Sequence, residues 1–140
     1  MEEPNQLLAS GVHARLNEQS RRDWDAGCRC LAFENATAAA FHCLRCIEEC
    51  VRTLYRAYFP GNKISHETWG QLTTQLRQKP RRPKPDDVLL VHLDHLRISF
   101  RNPTDHPEKS YDVEESEDLI HLAADSVNRC LRDPKVRERG

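Results

Sequence analysis

Residues 38–59 read AAAFHCLRCIEECVRTLYRAYF, and this stretch decides the fold class. Ala40, Phe41, Leu44, Ile47, Val51, Leu54 and Tyr58 recur at helical spacing and cover most sides of the helix they imply. A helix that is apolar nearly all round belongs at the centre of a bundle, because one neighbour cannot take every face out of water. Asn35 or Thr37 can cap its start by accepting from a free backbone N–H. Pro60-Gly61-Asn62 ends it. The spacing thus predicts a central helix from about Ala38 to Phe59, with other helices around it.

The same periodicity extends outward. Upstream, Trp24, Cys28 and Leu31 are in 3.6 register, with an extension back to Leu16 and Val12 and an end near Phe33. Downstream, Ser65 is a candidate cap for a shorter helix carrying Trp69, Leu72 and Leu76. Asp86 or Asp87 can cap the next one, striped by Leu89, Leu93, Leu96 and Phe100. Pro103 biases Asn102 away from helical geometry, so this helix is expected to stop there and give way to a loop from Pro103 to Tyr111. Asp112-Val113-Glu114-Glu115 is a capping-box-like start for a last helix with Ile120, Ala123, Val127 and Leu131 on its inner face. There are only 5 glycines and no long alternating run that would suggest a sheet. Short connections between amphipathic helices imply antiparallel neighbours. The expectation is one all-α domain over residues 1–140, an up-and-down bundle of four to five helices, with 1–15 and 134–140 loosely ordered.

Bulk numbers limit the function classes. The chain has 140 residues, 31% charged and 38% hydrophobic, and a formal net charge of -1. A single real core is possible at this length, and global charge gives no sign of strong non-specific nucleic-acid binding. Any nucleic-acid site must be a local patch. The most basic patch is the proline-rich loop 79–85, where Arg81, Arg82 and Lys84 could meet phosphates. A solvated connector is the commoner meaning of such a run. No apolar run approaches bilayer length. Met1-Glu2-Glu3-Pro4 lacks the basic-then-apolar order of a signal peptide, so a cytoplasmic protein is expected. Among six cysteines, Cys43, Cys46 and Cys50 form one helical stripe. A metal or redox site is one reading of it; reduced apolar core residues are the favoured one, since a structural zinc usually takes four ligands. Neither a metal nor a cofactor is expected.

The segment Arg101-Asn102-Pro103-Thr104-Asp105-His106-Pro107-Glu108 carries the functional signal. Arginine offers a planar, permanently charged fork for two phosphate oxygens. Histidine exchanges a proton near neutrality. Together they suit RNA cleavage by its own 2′-hydroxyl, one group moving a proton and the other stabilising charge on the transition state. On spacing alone, a helix-terminal arginine and a solvated histidine are the better explanation of the pair, because a bare R-x4-H occurs often by chance. Arg45 and Glu48, at i, i+3 on the central helix, need partners if that helix is buried. They pair with each other or with neighbours, or else Glu48 reaches the Arg101–His106 junction.

This segment resembles the R-N-x-x-x-H signature of the HEPN superfamily and lies at the junction into the final helix, as it does there. Leu31-Ala32-Phe33 and Ala38 to Glu48 resemble the first two helices of small bacterial HEPN-like proteins, and Thr68-Trp69-Gly70-Gln71-Leu72 fits the third. The resemblance runs in order from about Trp24 to Leu131. It implies a dimerising helical bundle in which two such motifs meet across a two-fold axis. Many members are metal-independent endoribonucleases in toxin–antitoxin, defence or RNA-processing settings. Others bind RNA or nucleotides, or act as interaction modules. Carried onto this chain, Arg101 and His106 would be the catalytic pair, and Asn102 would orient the scissile phosphate or the histidine. RNA, a second copy, and an antitoxin or minimal nucleotidyltransferase would be the partners. Asp112, Glu114 and Glu115 depart from an anion site, because their charge repels phosphate from the start of the last helix.

Overall fold

Five helices of nine residues or more carry the fold of the computed structural model, which describes residues 4–104, 106 and 108–139. They are α1 (Glu18–Ala32), α2 (Ala36–Tyr58), α3 (Trp69–Arg77), α4 (Asp87–Leu96) and α5 (Val113–Arg132). No strand occurs among the described residues. The protein is an all-α helical bundle, and α2 is its hub: α1, α3, α5 and the short C-terminal helix Pro134–Arg139 all pack on it.

The α1–α2 hairpin shows how local chemistry sets the packing. Asn17 caps α1 by accepting from the Ser20 N–H at 2.9 Å. Gly27 removes a side chain where the two helices cross, since a Cβ there would meet Cys43 Sγ at 3.1 Å. The turn between the helices closes with Glu34 N–H on the Leu31 carbonyl at 2.9 Å and Asn35 N–H on the Cys30 carbonyl at 2.7 Å. That is the Schellman arrangement, which puts a left-handed residue where glycine is usual. Here Glu34 occupies it at φ 58°. Glu34→Gly should therefore raise stability by about 1 kcal/mol, read as a higher denaturant midpoint. An unchanged or lower midpoint would contradict this account of the turn.

The core is continuous through Trp24, Ile47, Leu54, Leu76, Leu93, Leu119 and Val127, all fully buried. One expected core residue is not in it: Phe41 is 51% exposed. Ala39, Ala40, Cys43 and Leu44 fill the inward side of α2, so Phe41 falls on the outward side with His42 and Arg45. The hub thus keeps a solvent-facing strip. Starts also shift. Ser65 does not cap α3; its N–H is taken by Glu67 Oε2 at 2.8 Å. Thr68 is the cap, in a reciprocal box with Gln71. Asn35 makes no side-chain cap to α2, and Thr37 instead accepts from the Tyr111 N–H at 3.0 Å. Asp86 caps α4, and Asp112 with Glu115 caps α5, as the sequence implies.

Both ends of the described chain carry buried residues. Leu8, Val12 and Leu16 are buried, and Asn128 of α5 holds the first segment by bonds to the Ala9 N–H and the Leu7 carbonyl. Val136 is buried too. Asp133 accepts from its own helix start and from the Tyr58 hydroxyl at 2.8 Å. No helix among the described residues is long and apolar enough to cross a membrane.

Candidate functional site

The helix containing α4 does not stop before Pro103. It continues as a π-helical turn, Arg97–Arg101, and a further helical turn, Asn102–Thr104. The Asn102 N–H bonds to the Arg97 carbonyl five residues back, and Asn102 itself is helical at φ -64°, ψ -47°. The expected stop is overturned for a steric reason. A proline ring in an α-helix collides with the carbonyl four residues earlier, and the wider π register moves that carbonyl aside. The Phe100 carbonyl is then taken by the Thr104 hydroxyl at 2.6 Å, and that hydroxyl shares a hydrogen bond with the Tyr111 hydroxyl at 2.6 Å. Extra residues of this kind concentrate at functional sites.

The π turn presents two arginines, one turn apart, to a cavity of about 400 Å³. Arg97, Arg101 and Asn102 line one wall, Glu48 and Arg52 of α2 a second, and residues 66–70, from His66 to Gly70, the third. Arg101 Nε donates to Glu48 Oε2 at 3.4 Å, both side chains mostly buried. Of the two alternatives for Glu48, it reaches Arg101; Arg45 pairs with Asp23 at 3.5 Å instead. Asp23 is buried and also accepts from Gln19 at 2.7 Å and meets His42 Nδ1 at 3.0 Å. This network holds α1 against the outward strip of α2. Backbone N–H groups, chiefly that of Ser65, hold Glu67 below the usual carboxylate range.

The site residues read from the sequence are thus only partly gathered. Arg101, Asn102 and Glu48 share the cavity. His106 does not line it. It sits exposed on the next turn, where its N–H meets the Pro103 carbonyl at 3.1 Å and its carbonyl takes the Lys109 N–H at 3.0 Å. Pro107, the next residue of the motif segment, lies outside the described residues. The turn is anchored further on by Lys109, which pairs with Glu115 at 3.0 Å and lies over the Tyr111 ring. That hydrogen bond with Glu115 raises the Lys109 pKa. Arg81 and Arg82 are exposed, and Lys84 lines a separate cavity with Tyr58, Leu89 and Asp133. The basic loop is therefore not part of the Arg101 cavity. Arg52, Arg97 and His66 are site residues that the sequence did not single out. The signal for two of them was present: Arg52 is four residues after Glu48 and Arg97 four before Arg101, the spacing that puts side chains on one helical face.

The cysteine stripe is part of the core. Cys43, Cys46, Cys50 and Cys130 are buried, as is Cys28. Burial pushes the Cys28 thiol up to about 12, with Asp25 adding to it. Burial also raises Cys43 and Cys130, and Cys46 is raised by its hydrogen bond with Cys50 and then by burial. A protonated, covered thiol is neither nucleophile nor ready metal ligand. Among the described residues no group of three His, Cys, Asp or Glu could hold a metal ion. Of the six cysteines only Cys30 is partly exposed. A thiol-reactive dye should label one cysteine per native chain quickly, and six after denaturation. Fast labelling of two or more would reopen the redox reading.

No family model, curated protein or solved structure matches the chain.

Proposed function

We propose that the protein is a metal-independent endoribonuclease of HEPN type, working as a homodimer, with Arg101 and His106 as its catalytic pair. The observation that carries this reading is the Arg101–Glu48 pair, at 3.4 Å, opening onto a cavity with two further arginines. Glu48 restrains the guanidinium through its Nε, and the fork beyond Nε is the part of an arginine that grips phosphate oxygens. In the reaction the ribose 2′-oxygen attacks the adjacent phosphorus, the bond to the 5′-oxygen breaks, and the departing oxygen takes a proton. Arg101 stabilises the charge on the phosphorane-like transition state; His106 moves the proton. Because His106 is exposed and outside the cavity of its own chain, a second copy is the natural source of the histidine that completes the site. Asn102 positions the phosphate at the cavity wall. The setting this implies is cytoplasmic, with an antitoxin or a minimal nucleotidyltransferase as partner.

The test is cleavage of single-stranded RNA by the purified protein in excess chelator. Continued cleavage leaving 2′,3′-cyclic phosphate ends supports the proposal. Absence of cleavage across varied RNA sequences rejects it. A second reading, a non-catalytic RNA- or nucleotide-binding module, is favoured by one observation: the separation of His106 from the Arg101 cavity. It predicts binding that depends on Arg101, without turnover and without dependence on His106.

A further inference from the structure

Arg97 is poorly satisfied for a cation on a cavity wall. Its Nε is buried with no hydrogen-bond partner. Among the described residues its ionic neighbour is Asp94, which stands 3.6 Å away. Asp94 is meanwhile engaged by Arg77 and by the Thr73 hydroxyl at 3.3 Å. A guanidinium has five donors, so Asp94 uses little of what Arg97 can offer. Its plane lies against Gly70, whose absent Cβ would be 3.4 Å from the Arg97 Cζ, Nε and Nη1. Gly70 thus lets the guanidinium approach the first turn of α3. There the capping box uses the Thr68 and Gln71 N–H groups. His66 lies on the same wall.

We propose that Arg97, His66 and the Gly70 turn form a second phosphate subsite, one residue along the RNA strand from the phosphate at Arg101. This rests on the reading of Arg101 as a phosphate ligand. Two arginines four residues apart on a helical turn have their Cβ atoms roughly 5–6 Å apart, a spacing suited to successive phosphates of one strand. The volume, about 400 Å³, holds a nucleotide-sized group and is within the usual range of ligand pockets. Arg52, Arg97 and Arg101 outweigh Glu48 and Glu67 among the charges lining the cavity. Each phosphate meets its own fork, so the cavity reads an internal stretch of strand and not an isolated phosphodiester.

Two ligands that cannot self-cleave separate this from the catalytic proposal: a 2′-O-methyl dinucleotide with one phosphate and a 2′-O-methyl trinucleotide with two. Binding is followed by fluorescence anisotropy, with melting curves for every variant. Arg97→Gln should weaken the trinucleotide about tenfold or more, as removal of one charge-assisted hydrogen bond implies, and leave the dinucleotide unchanged. Its salt dependence for the trinucleotide should be shallower by about 0.7 in logarithmic slope, the value for one fewer phosphate neutralised on a single strand. Arg97→Lys should recover part of the affinity. His66→Gln, at an exposed position, should show the same discrimination in smaller degree with an unaltered melt. The subsite is rejected if Arg97→Gln weakens both ligands equally or neither, or if the native protein binds the two ligands equally well or binds neither. A protein that binds as described yet does not cut RNA would reject the catalytic reading and keep the subsite.

Discussion

His106→Ala is expected to lower the proposed RNA cleavage by about 10²–10⁴, the usual contribution of a positioned general acid or base, and to leave the melting temperature where it was. The second half follows from placement. His106 is exposed, and its backbone takes part in the turn through bonds to Pro103 and Lys109. Removing an imidazole from such a position opens no cavity and strands no buried group. Arg101→Ala should reduce cleavage by a comparable factor, and it should also leave Glu48 without its 3.4 Å partner, so it is the less clean variant. Arg101→Lys keeps the charge and loses the fork, and should fall between the two. Mixing His106→Ala with Arg101→Ala chains gives a sharper reading. If each site draws its histidine from the other subunit, half of the sites in a mixed dimer keep neither residue and the other half keep both. Partial activity should then return on mixing two inactive proteins. No recovery on mixing would defeat the shared-site arrangement, and full activity of His106→Ala alone would defeat the role of the histidine.

The second large effect is alkaline instability. Cys28, Cys43, Cys46 and Cys130 all titrate higher in the folded chain than a free thiol does. The unfolded chain releases these protons once the pH passes about 8.5–9, while the folded chain still holds them. The folded state then binds more protons, so stability falls as pH rises. Each thiol adds a slope of about 1.4 kcal/mol per pH unit. Four together come to about 5.5 kcal/mol per unit once the unfolded thiols are fully ionised, comparable with the whole stability of an ordinary domain. Tyr58, raised by burial and by its bond to Asp133, adds in the same direction at still higher pH. Denaturant midpoints should be nearly flat from about pH 7 to 8 and fall steeply from about pH 9 upward. Cys43→Ala should lower the starting stability and visibly flatten the alkaline fall. Equal stability at about pH 7 and pH 10 would show that the thiols are not held protonated by the fold.

What is legible in the amino acids alone is whatever depends on near neighbours in the chain. The apolar register of α2, the Asp86 cap and the Asp112–Glu115 box are local patterns, and each is where the sequence puts it. Local pattern fails where the answer depends on how many helices surround a residue. Phe41 has the right period to be buried, but periodicity gives an angle around the helix and not the number of neighbours on that side. Thr68 has Gln71 three residues on, a stronger capping signature than that of Ser65, and it is the residue that caps α3. Pro103 misleads because the rule for proline assumes an α register. Half of the candidate site is legible in the same sense. Arg101 and Asn102 stand out through their motif, and Glu48 as a charge on the most apolar helix. Arg97 is four residues from Arg101 and shares its face, but it meets His66 only when a separate helix start, Thr68–Gly70, is brought against the π turn, and no local pattern encodes that meeting.

The π turn at Arg97–Arg101 has a consequence for how variants of this chain should be compared. One surplus residue in a helix rotates all that follows by about 100°, so the turn acts as an angular offset between α4 and the segment bearing His106. Deleting any single residue from 97 to 100 would return the helix to α register and bring Pro103 into collision with the carbonyl four positions before it. It would also swing Arg101 away from Glu48 while leaving the arginine-to-histidine count intact. Two chains could then share the same six-residue signature and differ in whether its arginine faces the cavity at all. The residue count upstream of the signature, and not only the spacing within it, determines where the guanidinium points.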